Sequence, residues 1–141
     1  MVPALLSILL LVQVAEPGPW KALPAEEGGS AAYRLSDQGS AGDTRRLVMR
    51  VTASQPREWT SGELVYELSC SARTLTILSV RSMDADGAEM QFVAVPEDRR
   101  RPEAMYAGEE MVTTLYTDLC PHGAPLDPRP PPPQIVPTPR R

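Results

Sequence analysis

The sequence is poor in several residues on which whole functional classes depend. Its 141 residues include no asparagine, one lysine (Lys21) and one histidine (His122). Without asparagine there is no Asn-x-Ser/Thr acceptor for N-glycosylation. The 14 basic and 18 acidic residues give a formal charge of -4, so the chain lacks the basic excess of nucleic-acid-binding domains. We therefore expect no nucleic-acid partner.

The single histidine also restricts catalysis. A nucleophilic Cys–His pair needs a free thiolate and a base held in place, and a Ser-His-Asp triad would need the same histidine. His122 stands between Pro121 and Gly123, two residues after Cys120, which we assign below to a disulfide. We therefore predict that the protein is not an enzyme and has no cofactor.

Two carboxylate patterns provide alternatives to that prediction. Asp84 and Asp86 could begin a calcium loop, but position twelve counted from Asp84 is Val95 instead of the required glutamate. The sequence Asp86-Gly87 instead favours a hairpin turn, because glycine adopts positive φ without strain. A pair of carboxylates in a small hydrolase is marked by no motif and remains an alternative.

No apolar run is long enough to cross a bilayer. The longest, residues 4–12, is apolar except for Ser7 and would rise only about 14 Å as a helix. This length suits a secretory signal, and residues 1–15 are predicted to be a signal peptide cleaved after Ala15. The alternative is a short buried segment. Export predicts a periplasmic, secreted or cell-surface protein without stable membrane insertion after signal removal.

Cysteine is also scarce, with Cys70 and Cys120 as the two examples. Neither lies in a Cys-x-x-Cys motif or beside a cluster of histidines, so no metal site is predicted. An even number of cysteines in an exported chain indicates a disulfide. Closing a loop of about 50 residues would stabilise the fold by roughly 4 kcal/mol on the chain-entropy account.

Alternating apolar and polar residues predict an antiparallel sheet. The clearest strand is residues 46–52, where Leu47, Met49 and Val51 share one face. Residues 63–70 alternate equally well and place Cys70 on the apolar face. Further strands are predicted at residues 20–23, 32–36, 73–83 and 90–94.

The predicted strand 73–83 has an irregular apolar pattern. Its apolar phase shifts from Leu75 and Ile77 to Leu78 and Val80. The shift indicates either a β-bulge or a strand that is buried on both faces.

A helix is predicted near the C-terminus. Glu109 and Glu110 suit the positive end of a helix dipole. The residues Val112, Leu115, Tyr116 and Leu119 follow at helical spacing. The helix ends at Cys120, so a disulfide would tie it to the strand that ends at Cys70. The predicted fold is therefore α+β, a small multi-stranded antiparallel sheet with one C-terminal helix, over residues 16–121.

Proline dominates the end of the chain. The last 21 residues contain nine prolines, which cannot build a core. Residues 122–141 are predicted to be a disordered, extended polyproline-II tail, acting as a spacer. The alternative is a ligand for a proline-reading domain.

The candidate binding residues are a basic cluster and the tryptophans. Arg99, Arg100 and Arg101 lie on a predicted exposed loop and could bind an acidic partner, a sulfated glycan or lipid headgroups. The alternative is a solvated loop, because acidic residues flank the cluster. Trp59 and Trp20 are candidates because tryptophan is enriched at binding hot spots, although packing is the alternative.

Residues 64–120 resemble the surface-adhesin E family of exported Gram-negative proteins. The likeness extends over about 100 residues when Trp20 and Ser61, at the positions of that family's markers, are included. Its features are a strand ending at Cys70 with Arg73-Thr74 beyond it, an Asp86-Gly87 turn, a return strand closed by Pro96, and a Gly-Glu-Glu helix ending at Cys120.

The resemblance implies an antiparallel sheet joined to a C-terminal helix by this disulfide, and a surface or periplasmic location. It also implies binding to a host matrix protein and allows a homodimer. The chain departs from the namesake adhesin in lacking a lipobox cysteine and a lysine-rich stretch and in having a proline-rich tail. The fold therefore transfers better than the adhesion.

Together these features predict a non-enzymatic, adhesin-like exported module that binds a protein partner. The alternatives are an inhibitor or assembly factor for another exported protein and, less favoured, a small carboxylate-based hydrolase.

Overall fold

The computed structural model describes residues 18–36, 40–54 and 60–139. The predicted signal peptide, residues 1–15, and Trp59 lie outside these ranges. The strands are β1 (Lys21–Leu23), β2 (Ser30–Leu35), β3 (Thr44–Thr52), β4 (Ser61–Ser69), β5 (Thr74–Met83), β6 (Glu89–Ala94) and β7 (Glu103–Ala104). The helices are a 3-10 turn (Glu97–Arg99) and α1 (Glu110–Leu119).

The strands form one antiparallel sheet in which sequence neighbours lie side by side. The order runs from β1 to β6, and β7 pairs with the first residues of β5, next to the place where β6 ends. Each strand from β1 to β6 therefore pairs with the next strand along the chain, which antiparallel pairing permits, whereas β7 pairs with β5. The predicted α+β fold, an antiparallel sheet with one C-terminal helix and a disulfide, is confirmed.

The centre of the sheet follows the predicted alternation. In β3 Leu47 and Met49 are 0 % and 2 % exposed, and Val51 packs against the same core. Leu47 is paired with Tyr66 of β4, which continues the apolar face across the sheet. The period of two in the sequence therefore predicts the buried face correctly, because adjacent side chains of a strand point to opposite sides.

The irregular strand contains a bulge. Tyr66 of β4 pairs with Ile77, whereas the preceding Val65 pairs with Ser79. Leu78 is therefore an extra residue in β5, and it is buried. The bulge reading of the phase shift is confirmed, and the added residue explains why the apolar pattern changes face.

The hairpin between β5 and β6 depends on Asp84. Its Oδ1 accepts hydrogen bonds from the backbone N–H groups of Asp86 and Ala88, each at 2.9 Å. Gly87 has φ of 79°, a conformation that residues with a Cβ rarely adopt. The carboxylate of Asp84 is therefore engaged in hydrogen bonds within the turn.

Helix α1 packs on one face of the sheet. The apolar stripe predicted for it is buried, with Leu115, Tyr116 and Leu119 in the core. A ten-residue helix is marginal by itself, so its stability comes mainly from this packing. The disulfide joins Cys70, which follows β4, to Cys120, which follows α1, with 5.6 Å between the Cα atoms.

The tail docks on the domain over its first residues. Arg73 Nη1 donates to Pro125 O at 3.0 Å and lies 3.4 Å from Asp127 Oδ2. The N–H of Ala107 donates to Asp127 O at 2.8 Å, and Leu126 packs against the core. Residues 122–129, which we call the docked segment, therefore differ from the disordered tail predicted for this region.

Two further contacts hold the docked segment. Arg129 forms an ion pair with Glu109, and its guanidinium lies 5.3 Å from the ring centroid of Tyr106. A Cβ at Gly123 would overlap the hydroxyl of Tyr116, so only glycine lets the chain pass this close to the helix. Beyond it, residues 130–139 are exposed and contain no helix or strand.

Candidate partner-binding edge

Strand β6 is an edge strand with exposed apolar side chains. All six of its residues are exposed, and the exposed fractions of Met90, Phe92 and Val93 are 52 %, 49 % and 46 %. Its outer side has no neighbouring strand among the described residues. Large apolar side chains in such a position are a recognised mark of an interaction surface.

On the helix side, apolar surface continues from the core to this edge. Paired residues form one row across the sheet, in the order Tyr33, Met49, Leu64, Val80 and Val93. The first two lie in the core and are 1 % and 2 % exposed, the next two are half-buried, and Val93 is 46 % exposed. The apolar row therefore extends past the part that is buried in the core.

On the opposite side of the sheet, Phe92 meets a cation. The guanidinium carbon of Arg81 lies 5.2 Å from the ring centroid of Phe92. Arg81 Nε also lies 3.3 Å from Glu89 Oε2 as an ion pair, without hydrogen-bond geometry. Such exposed contacts contribute about 1 kcal/mol or less each, so they hold the ring in place without covering it.

The structure brings two of the predicted arginines to the same edge. The 3-10 turn begins three residues after β6 ends. The chain then pairs again with β5 as β7, on the same side of β5 as β6, so residues 97–101 form the connection between β6 and β7 at this edge of the sheet. Arg100 is half-buried, and its Nε donates to Val95 O at 3.2 Å. Arg99 and Arg101 are exposed, and neither forms an ion pair with another described residue.

We call the exposed side chains of this region the binding edge. It consists of Met90, Phe92, Val93, Arg99 and Arg101. Arg100 supports the loop instead. Sequence reasoning placed Phe92 on a strand but missed its exposure, because the apolar run at residues 92–95 does not show whether a neighbouring strand covers it.

The tryptophans contribute differently. Trp59 lies outside the described residues. Trp20 is half-buried, with the guanidinium carbons of Arg34 and Arg50 at 4.7 Å and 4.5 Å from its ring centroid. Arg50 also pairs with Glu63 at 3.2 Å. Trp20 thus packs among arginines away from the binding edge, as in the packing alternative.

One cavity in the described structure holds two carboxylates. It measures about 570 Å³ and lies between the 24–29 loop, the ends of β2 and β3, and the start of α1. Glu26 and Glu110 line it, and both are exposed. These are the carboxylates that this cavity offers to the carboxylate-based hydrolase, which the sequence left as an alternative.

A second cavity, of about 420 Å³, surrounds the disulfide. It is lined by His122, Asp43 and Arg45 as well as by both cysteines. Because the two sulfurs are bonded to each other, neither is a thiolate nucleophile. Within residues 18–36, 40–54 and 60–139, no group of three or more His, Cys, Asp or Glu is placed to hold a metal ion.

The comparisons with known proteins identify no relative. No protein-family model matches the chain, and no curated protein or solved structure is significantly similar to it. The resemblance to the surface-adhesin E family therefore stays a prediction. In the described part of the chain, no helix has the length and apolar character needed to span a bilayer.

Proposed function

We propose that this protein is a non-enzymatic exported module of the cell envelope that binds a protein partner through the binding edge. The observation that supports this most directly is the exposure of Phe92 and its apolar neighbours on a six-residue edge strand. A surface strand with no binding role is expected to carry polar or charged residues at such positions.

The chemistry of the binding edge suits a protein ligand. Aromatic residues, methionine and arginine are the side chains enriched in protein interfaces, and all three occur here. Phe92 supplies apolar area, while Arg99 and Arg101 supply directional donors at the rim. Binding to a sulfated glycan or to lipid headgroups through the arginines alone would leave the apolar strand unused.

Export is supported by two independent features. The apolar run at residues 4–12 has the length of a signal peptide, and a disulfide is stable in oxidising compartments. We propose a periplasmic, secreted or cell-surface location on this basis. The family resemblance adds host matrix proteins as one class of partner.

The test is crosslinking and affinity capture with the chain from residue 16 onward. Three proteins are compared: the wild type, the triple variant F92A/R99A/R101A, and I135A, which removes an exposed apolar side chain from the tail. We expect the triple variant to recover the partner at least about tenfold less well, because hot-spot residues contribute 1–2 kcal/mol or more each. I135A should behave as wild type.

Equal recovery by the wild type and the triple variant would contradict the proposal. The partner's identity then separates the forms of the function. A single bacterial protein captured in equimolar amount indicates an inhibitor or assembly factor, whereas matrix proteins from a host indicate an adhesin.

A further inference from the structure

We infer that β6 receives an extended strand from a different protein chain, antiparallel to it, so that the sheet continues across the interface. The inference rests on the proposed function, because it specifies how the binding edge engages its partner. Main-chain hydrogen bonds would supply affinity in this mode, and alternate side chains would supply specificity.

The backbone of β6 has donors and acceptors directed outward. The N–H of Val95 donates to Leu78 O at 2.9 Å, so the backbone polar groups of Val95 are directed towards β5. Polar groups of successive residues in an antiparallel pair alternate in direction. The N–H and C=O groups of Val93 are therefore also directed towards β5, whereas those of Phe92 and Ala94 are directed to the free edge.

The two ends of the sheet are protected to different degrees. The outer strand β1 has three residues and is followed directly by Pro24, which limits pairing. Strand β6 has six residues and contains neither proline nor lysine. Apolar side chains on both of its faces are typical of a strand inside a sheet, not of a solvated edge.

The charges at the two ends of β6 indicate which partner strand fits. Residues 84–89 contain three acids and no basic residue, whereas residues 97–101 contain three arginines and two acids. An antiparallel partner strand fits best with basic residues at its C-terminal end, next to Asp86 and Glu89. An acidic residue at its N-terminal end would lie near Arg99 and Arg101.

A second copy of this chain would also place opposite charges together, but the contact would be small. Two β6 strands overlap over at most six residues, or about 20 Å. A stable interface buries roughly 1,200 Å² or more, so a second copy would need contacts beyond this pair of strands. A segment of a different protein is not limited to this length and can continue past Ala94 over the arginine loop.

The experiment uses twelve-residue random peptides displayed on phage as the probe and the wild-type chain from residue 16 onward as the target. Enriched peptides are synthesised in two forms, one unmodified and one with N-methyl groups at alternate residues. We expect the enriched peptides to have β-branched or aromatic residues at alternate positions, followed by Lys or Arg. N-methylation in one of the two alternating patterns should weaken binding at least about tenfold, because it removes the donors that face β6.

Two variants test the receiving strand. Ala94→Pro removes an outward N–H and leaves the bond from Val95 to β5 in place, a position at which edge strands tolerate proline. Ala94→Val keeps the donor and is the matched control. Ala94→Pro should lose at least about tenfold in peptide affinity at an unchanged thermal midpoint, while Ala94→Val stays near wild type.

Several results would overturn strand addition. These are the absence of enriched peptides, equal binding of all N-methylated forms, equal binding by a folded Ala94→Pro variant, or a wild-type dimer that Ala94→Pro converts to monomer. The N-methylation arm uses wild-type protein, so it decides the matter even where Ala94→Pro does not fold. If F92A/R99A/R101A loses the captured partner and Ala94→Pro keeps it, strand addition fails and the proposed function stands.

Discussion

The hydroxyl of Tyr33 donates a hydrogen bond to Asp118 Oδ2 at 2.9 Å and thereby joins the sheet to the last turn of α1. Tyr33 is almost fully buried, whereas Asp118 is exposed. The disulfide at Cys120 lies two residues further on, so the same end of the helix is held by a covalent bond and by a polar contact.

Removing Tyr33's hydroxyl and removing Asp118's carboxylate should lower the unfolding free energy by different amounts. Tyr33→Phe leaves Asp118 in contact with water and should cost about 1 kcal/mol of unfolding free energy. Asp118→Ala leaves a buried hydroxyl without its acceptor and should cost up to about 3 kcal/mol. Urea unfolding measures both, with Glu26→Ala as a surface control. A larger loss for Tyr33→Phe would contradict this account.

Stability should decrease at alkaline pH because of the same residue. Burial, the hydrogen bond to Asp118 and that carboxylate's charge raise the pKa of Tyr33 to about 12. An unfolded tyrosine ionises near pH 10, so between about pH 10 and 12 the folded state binds more protons and stability falls as pH rises. Burial also raises the pKa of Tyr66, which adds to this effect.

The measurement is tyrosinate absorbance together with urea unfolding at pH 9 and pH 11. Tyr33→Phe should remove the latest ionisation step and part of the alkaline loss of stability. An identical alkaline loss in both proteins would show that Tyr33 is not responsible.

The disulfide should provide a large share of the stability. Replacing both Cys70 and Cys120 by serine is expected to lower the unfolding free energy by about 4 kcal/mol, because the unfolded chain is released from a closed loop. Denaturant unfolding of the variant, compared with the oxidised wild type, measures the loss. Matching midpoints would mean that packing alone holds α1 on the sheet.

Asp43 should make the fold sensitive to acid. Hydrogen bonds from the Ser71 hydroxyl and N–H, with a smaller contribution from Ser69, hold the pKa of Asp43 below its ordinary value. The stabilisation is present above the ordinary pKa of about 3.9 and is lost as pH falls through the lower folded value. Asp43→Asn should reduce the dependence of the thermal midpoint on pH in that range, and an unchanged profile would contradict the assignment.

Truncation should locate the boundary of the folded domain. A chain that ends at residue 121 loses Leu126 and both partners of Arg73, and we expect a loss of about 1–3 kcal/mol in unfolding free energy. A chain that ends at residue 129 keeps these contacts and is the matched control. If the two truncated chains were equally stable, the docked segment would have no stabilising role.

The elements that the sequence predicted correctly depend on local patterns. The alternation around Leu47 and Met49, the phase shift at Leu78 and the helical spacing from Val112 to Leu119 each lie within one element. A side chain's face depends on the geometry of its own strand or helix, so neighbouring residues suffice to predict it. The pairing of Cys70 with Cys120 needed only their even number and the predicted export.

Tertiary structure decided what no local pattern contains. Whether β6 has a neighbour depends on the order of the strands, so its residues alone could not reveal that Phe92 and Val93 are exposed. The docked segment depends on Arg73, which lies 52 residues from Pro125 in sequence. Composition predicted disorder there, but a few long-range contacts stabilise a proline-rich segment when the folded domain already holds their partners in place.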